Sequence, residues 1–183
     1  MVKEDQRTRI TKKIFRSTLI DLLKEKRLHR INVTELCRQA ELSRATFYTY
    51  YVDVFDLFEN IERDVYQQLE DLLLESDSND SRLEGIVRYV GEHDRLFLVL
   101  LSVDISNNFT KSIIELSRTF SNPDGKRTNI YNYLEDYAVS GSISVLLRWL
   151  QNGKKESPKS ISQLLTTLQN YSGEEIQKIA QSD

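Results

Sequence analysis

Apolar residues recur every three or four positions along almost the whole chain, which is the spacing of one face of an α-helix. In the first segment, about residues 6–26, this stripe runs from Ile10 through Phe15 to Leu23, and most of the lysines and arginines lie outside it. Alternation typical of a half-buried strand is not seen, and the chain has only six glycines and two prolines to interrupt helices. The pattern therefore predicts an all-α fold.

Capping residues predict where the next helices begin. Asn32, followed three residues later by Glu35, is a capping box that opens a short helix over 33–40. Ser43 opens a third helix, and Asp53 opens a long fourth one. The remaining helices are predicted over 82–92, 94–102, 105–120, 128–152 and 158–168, with a short tail helix over 173–180 and loops over 75–81 and 122–125.

The charge of the chain is unevenly distributed. The whole sequence has a formal charge of −3, but twelve basic and six acidic residues give +6 for the segment that ends at Val52. The remainder therefore carries −9. A basic head on an acidic body is expected if only the head meets the phosphates of a nucleic acid, although ordinary variation of surface charge is the alternative.

Composition disfavours several other classes of protein. A lone Cys37 allows no internal disulfide or thiol-based metal site, and only His29 and His93 offer imidazole ligands. No apolar run is long enough for a signal peptide or a membrane span, so we expect a cytoplasmic protein with no membrane partner. There is no nucleophile elbow and no glycine-rich phosphate loop, so we expect no enzyme, no cofactor, and no catalytic or metal-binding residue.

Two short helices joined by Glu41-Leu42-Ser43 have the dimensions of a helix-turn-helix, whose second helix enters the major groove of DNA. Its expected core consists of Leu36, Ala40, Leu42 and Phe47. The residues expected on or near the outer face of the second helix are Arg44, Ala45, Thr46, Tyr48 and Thr49.

The segment Val33–Tyr51, VTELCRQAELSRATFYTYY, resembles the helix-turn-helix signature of the TetR family of transcription regulators. Its most specific part is the Ala-x-Leu-Ser-x-x-Thr-Phe-Tyr pattern over 40–48. The basic first helix and the long fourth helix also match the first domain of that family, up to about Ser76. The resemblance implies a helix-turn-helix DNA-binding domain over 1–52 and a helical effector-binding and dimerisation domain over 53–183, although this second part matches only in being helical.

Two positions depart from the family pattern. Glu41 occupies a turn position that is usually glycine, so either a left-handed residue costing on the order of 1 kcal/mol or a different turn is expected. Val54 stands where a lysine is common in the family. One anchor for a DNA phosphate is therefore missing.

The resemblance also implies which residues contact DNA. Residues near base edges include Arg44, which can bind O6 and N7 of guanine for about 1–3 kcal/mol of discrimination. Tyrosines would contact phosphates and so fix the register of the protein on the duplex. For Arg44 the alternative is a merely solvated surface position, and Tyr51 is expected in the core. The predicted DNA-contacting set is Thr34, Arg44, Ala45, Thr46, Tyr48, Thr49 and Tyr50.

Predictions for the second domain rest on side-chain composition and on the family's pairing of its last two long helices across a twofold axis. For the ligand site the alternative is plain helix packing, with His93 at the surface. The predicted ligand-binding residues are His93, Phe97, Phe109, Tyr133 and Tyr137. The predicted dimer interface consists of Leu146, Trp149, Leu150, Leu164 and Leu168.

The expected function is that of a transcription regulator, a repressor that binds a palindromic operator in double-stranded DNA as a homodimer and is released by a small-molecule ligand. The rival hypothesis is a helical ligand- or protein-interaction dimer of the same fold that has lost specific DNA binding. Val54 and the acidic net charge favour that rival. Salt-dependent binding of random duplex would separate the two, because phosphate contacts weaken as salt rises.

Overall fold

The computed structural model describes residues 5–75, 79–101, 106–121 and 129–180. This part of the chain contains helices and no strand, so the predicted all-α fold is confirmed. A single 3₁₀ turn, Leu28–Arg30, follows the first helix. The α-helices are α1 Gln6–Leu23, α2 Val33–Gln39, α3 Arg44–Tyr48, α4 Val54–Glu75, α5 Asn79–Glu92, α6 Asp94–Leu100, α7 Ser106–Ser121, α8 Asn129–Gln151 and α9 Pro158–Ala180.

The predicted caps open the short helices. The side-chain oxygen of Asn32 accepts a hydrogen bond from the Glu35 backbone N–H at 2.9 Å. Ser43 Oγ accepts one from the Thr46 backbone N–H at 3.0 Å. Each bond satisfies a backbone donor that has no partner inside its helix, which is typically worth about 1 kcal/mol. Local sequence therefore fixes where α2 and α3 begin.

Some predicted boundaries differ from those of the structure. A helix end near Leu168 followed by a separate tail is wrong, because α9 continues unbroken to Ala180. The segment contains no proline after its first residue, and Gly173 alone costs a helix only about 1 kcal/mol. Helix α5 begins at Asn79, three residues earlier than predicted. The rest of the first predicted loop between α4 and α5, residues 76–78, and the predicted turn over 122–125 lie outside the described residues.

Two compact units make up the chain, Met1–Val65 and Tyr66–Asp183. The division falls inside α4, whereas the predicted boundary after Val52 lies in the loop before it. The first unit has its own core, and the largest of its fully buried side chains are Phe15, Phe47, Leu19, Leu36 and Leu57. In the second unit the fully buried side chains include Val87, Leu100 and Leu165.

A buried tryptophan packs at the end of α8, within the second unit. Trp149 is 3% exposed, and its indole Nε1 donates to the carbonyl oxygen of Glu156 at 3.0 Å. Its ring lies against Gly91, where a Cβ atom would come within 2.7 Å of the ring. Lys154 Nζ donates to the Gly91 carbonyl oxygen at 2.8 Å and to Asp94 Oδ2 at 2.7 Å. The hydrogen bond from Lys154 holds the pKa of the Asp94 carboxyl below its usual value. These contacts fix the α8–α9 connection to the α5–α6 junction.

Candidate nucleic-acid interface

The helix-turn-helix is built on a tight turn between α2 and α3. Glu41 has a φ of 53°, so of the two alternatives that the sequence left open at this turn, the structure has the left-handed residue. Its N–H donates to the Arg38 carbonyl oxygen, and the N–H of Leu42 donates to that of Cys37 at 3.1 Å. This is the Schellman pattern, which satisfies the last carbonyl groups of α2 and turns the chain sharply into α3.

The predicted core of this motif is largely buried. Leu36 and Phe47 are fully buried and Ala40 is 8% exposed, whereas Leu42 is half-buried. The Phe47 ring meets Phe15 of α1 edge to face, with 5.3 Å between the ring centroids. Anchored in this way through Phe47, α3 is held against α1 while its other side remains exposed.

The exposed side of α3 presents a cation and an aromatic ring. Arg44 is exposed, and its guanidinium carbon lies 5.9 Å from the centroid of the Tyr48 ring, which is 51% exposed. Ala45 and Thr49 are exposed beside them, and Thr34 is exposed on α2. A guanidinium held beside a ring keeps its planar fork of donors available for a guanine edge or a phosphate.

Two predicted contact residues have hydroxyl groups that already bond within α3. Thr46 is half-buried, and its Oγ1 lies 2.8 Å from Ser43 Oγ, in the cap of the helix. Thr49 Oγ1 donates to the Ala45 carbonyl oxygen at 3.0 Å. Because that proton is already used, Thr49 presents to a ligand its methyl group and a hydroxyl oxygen that can accept.

The two tyrosines that follow α3 differ in their surroundings. Tyr51 is 5% exposed and packs on Phe47 with ring centroids 5.5 Å apart, so its predicted place in the core is confirmed. Burial raises the pKa of the Tyr51 hydroxyl, against the opposing effect of the nearby Arg16 and Lys12 cations. Tyr50 is half-buried instead, which leaves part of its ring exposed.

Tyr50 contacts α1 through two polar residues that were not predicted from the sequence. Its hydroxyl lies 3.4 Å from Thr8 Oγ1, and Lys12 Nζ lies 5.7 Å from the centroid of its ring. Thr8 and Lys12 continue, at helical spacing, the buried stripe formed by Phe15 and Leu19. Polar residues on an otherwise apolar stripe are the signal that would have singled them out.

The start of α4 carries carboxylates and an apolar side chain. Val54, at the position of the missing lysine, is 3% exposed. Asp53 Oδ1 accepts from the Asp56 backbone N–H at 2.8 Å, and Asp56 Oδ2 accepts from the Val52 N–H at 2.8 Å. This helix end is therefore capped by its own acidic residues.

The predicted ligand-binding residues fall into two groups. Phe97 and Phe109 are buried, at 2% and 3% exposure, whereas Tyr133 and Tyr137 are about 70% exposed on α8. His93 is exposed, and it shares with Phe97 an edge contact to the ring of Tyr89, at centroid distances of 4.6 and 5.6 Å. The structure therefore brings His93 and Phe97 together but places the two α8 tyrosines on the surface.

Among the described residues, no group of three or more histidine, cysteine, aspartate or glutamate side chains is arranged to hold a metal ion.

The predicted dimer residues also divide. Leu146, Trp149 and Leu150 are buried within a single chain, at 7% exposure or less. Leu164 and Leu168 are 46% and 50% exposed and lie one turn apart on α9. Of the five predicted interface residues, these two are the ones that keep a large exposed apolar surface. The chain's own helices cover the other three, and their place in a dimer interface stays a prediction.

Comparisons with known proteins match this chain to transcriptional regulators. The family model TetR_C_8, described as transcriptional regulator C-terminal region, matches residues 77–171, slightly more than half of the chain. The HTH-type transcriptional regulator YxbF of Bacillus subtilis (strain 168) is 25% identical over 161 residues, which cover 81% of this chain. The chain spans only 42% of the length of that relative.

Solved structures share the fold at low sequence identity. A TetR transcriptional regulator from Streptococcus agalactiae 2603V is 20% identical, with a TM-score of 0.65 over 90% of this chain and 96% of that one. The regulator FadR from Bacillus subtilis, solved in complex with stearoyl-CoA, is 15% identical, with a TM-score of 0.62 over 86% of this chain and 96% of that one.

Within the part of this chain that the structure describes, no helix is long and apolar enough to cross a membrane.

Proposed function

Because the chain belongs to the TetR family of transcriptional regulators, we propose that it binds a palindromic operator in double-stranded DNA as a homodimer and represses transcription there. The observation that carries this proposal is the exposed face of α3, where Arg44 and Tyr48 stand out from a helix anchored by Phe47. The net charge of +6 up to Val52 supports it, because a basic surface attracts the phosphates of DNA.

Arg44 is the residue most suited to select a base. Its guanidinium can donate two parallel hydrogen bonds to O6 and N7 of guanine. We expect Arg44→Ala to weaken binding to the preferred operator by about 1–3 kcal/mol and to relax the preference at one position per half-site. Tyr48→Phe removes only a hydroxyl group that can reach a phosphate, so it should weaken all sequences about equally.

These two variants are compared by selecting bound sequences from a random duplex pool and by measuring affinity for the wild-type consensus. Arg38→Ala is a matched control, because Arg38 is an exposed arginine at the end of α2, outside the predicted contact set. If Arg44→Ala leaves both the consensus and the affinity unchanged, α3 does not read the bases.

Two exposed leucines on α9 support the homodimer. Leu164 and Leu168 present adjacent apolar side chains at positions where a lone chain would leave them in water. On α8, Tyr133 and Tyr137 form a second exposed pair, also one turn apart. In the proposed dimer the partner chain covers these two pairs. The buried Leu146, Trp149 and Leu150 pack α8 against other helices of its own chain.

We expect the double variant Leu164→Glu/Leu168→Glu to raise the dimer dissociation constant by at least about 100-fold, because each glutamate replaces apolar surface that dimerisation would remove from water. Light scattering over a concentration series measures this shift. The control is Gln163→Glu, at an exposed polar position beside Leu164 on the same helix. A wild-type chain that is a stable monomer at micromolar concentration would contradict the proposed dimer.

We further propose that a small-molecule effector held by the second unit releases the operator. The complex of the FadR relative with stearoyl-CoA supports this part, as does the shared contact of His93 and Phe97 with Tyr89. Coupling of this kind is typically about 1–3 kcal/mol and is reciprocal, so operator DNA must weaken effector binding by the same factor. Screening by thermal shift identifies a ligand. Titrating that ligand with and without operator then tests the coupling, and equal affinities in the two titrations would rule it out.

A further inference from the structure

Two side chains from α1, Thr8 and Lys12, lie against Tyr50, which follows α3. Thr8 Oγ1 and the Tyr50 hydroxyl are 3.4 Å apart, and Lys12 Nζ lies 5.7 Å from the centre of the Tyr50 ring. All three side chains are half-buried, so each retains surface that a ligand can reach. Tyr50 follows the end of α3 by two residues. The cluster therefore adjoins the helix that presents Arg44.

The chemistry of this cluster suits an anion. When two hydroxyl groups bond to each other, one proton is used between them and the other can be donated outward. Thr8 and Tyr50 together therefore offer one hydroxyl donor to a third group. The Lys12 ammonium adds a positive charge and further donors, and lysine is a common ligand of phosphate.

The start of α4 has no cationic side chain that could bind a DNA phosphate. Val54 is buried and apolar, and the N–H groups of Val52 and Asp56 already bond to carboxylates. Asp53 and Asp56 bring negative charge to this end, which repels a phosphate. A cationic side chain that binds the DNA backbone in this unit must therefore come from another element.

We propose that Thr8, Lys12 and Tyr50 form a binding site for one backbone phosphate of the DNA duplex that α3 reads. Lys12 supplies the charge, and the paired hydroxyl groups of Thr8 and Tyr50 supply a directed donor. The site serves in place of the lysine that Val54 replaces. This inference rests on the proposed DNA binding.

The test measures affinity for a duplex of random sequence as a function of salt. Neutralising one phosphate contact accounts for about 0.9 in the slope of log K against log salt concentration. We expect Lys12→Met to make this slope shallower by about 0.9 per chain bound, and Lys12→Arg to restore it. The matched control is Lys13→Met, which removes the same charge from the next position of α1, where the side chain is exposed.

The hydroxyl groups are tested separately from the charge. Tyr50→Phe and Thr8→Val should each weaken binding several-fold without changing the salt slope, because neither removes a charge. Thermal melting of every variant shows whether the fold is retained, and Lys12→Arg distinguishes loss of charge from loss of packing. Equal slopes for Lys12→Met and Lys13→Met would overturn the phosphate site while leaving the proposed function intact. No duplex binding by the wild-type chain would overturn both.

Discussion

Replacing Phe47 with alanine is expected to destabilise the first unit by about 3–5 kcal/mol, the usual cost of removing a buried phenylalanine ring. Phe47 is fully buried, and its ring meets those of Phe15, Tyr48 and Tyr51 at centroid distances of 5.3, 5.6 and 5.5 Å. A small domain has only about 5–15 kcal/mol of total stability, so a large part of it depends on this one ring.

We also expect Phe47→Ala to weaken DNA binding, although the Phe47 side chain is buried in the protein. Since Phe47 holds α3 against α1, its removal frees the helix that carries Arg44. Denaturant unfolding followed by circular dichroism gives the stability, and operator affinity is measured in the same buffer. Phe47→Leu is the control, because a large apolar replacement typically costs less than about 1.5 kcal/mol. An alanine variant as stable as the leucine variant would mean that this ring does not anchor the motif.

Trp149→Ala is expected to have an effect of similar size in the second unit, about 3–5 kcal/mol. The indole is almost fully buried, and its N–H closes the connection between α8 and α9 through the Glu156 carbonyl oxygen. Trp149→Phe keeps much of the apolar area but loses that hydrogen bond, so it should cost less. Thermal and denaturant unfolding measure both.

Gly91 provides an internal control for this contact. A Cβ atom there would lie 2.7 Å from the Trp149 ring, so Gly91→Ala should cost about 1–3 kcal/mol by overpacking. With Trp149→Ala the obstacle is gone, and the same Gly91→Ala change should cost much less. A double-mutant cycle measures the difference. Strictly additive effects would show that the ring and Gly91 are not in contact.

Local signals in the sequence predicted much of the first unit. The caps at Asn32 and Ser43 depend on bonds between residues three positions apart, so a short segment contains all that determines them. For Glu41 the sequence indicated an unusual turn residue and left two conformations open, of which the structure has the left-handed one. Like the caps, the apolar core of the helix-turn-helix was predictable from a short segment. The contact between Thr8 and Tyr50 was not, because it joins residues 42 positions apart and neither residue indicates its partner.

The second unit shows the limit of apolar periodicity. The pattern around Leu146, Trp149 and Leu150 correctly indicates that this face of α8 is covered, but it does not indicate what covers it. A second chain was the predicted cover, whereas the structure covers these residues with helices of the same chain. For the same reason, the exposure of Tyr133 and Tyr137 was not predictable from their spacing on α8.

Selection of bound sequences from a random duplex pool by the wild-type chain tests the proposed function most directly. A dimer that reads DNA through α3 should enrich an inverted repeat whose half-sites are centred about one helical turn, roughly 10 base pairs, or somewhat more apart. Enrichment of such a site is the predicted result. A pool that remains random after repeated rounds would contradict the account and favour a dimer of the same fold that has lost specific DNA binding.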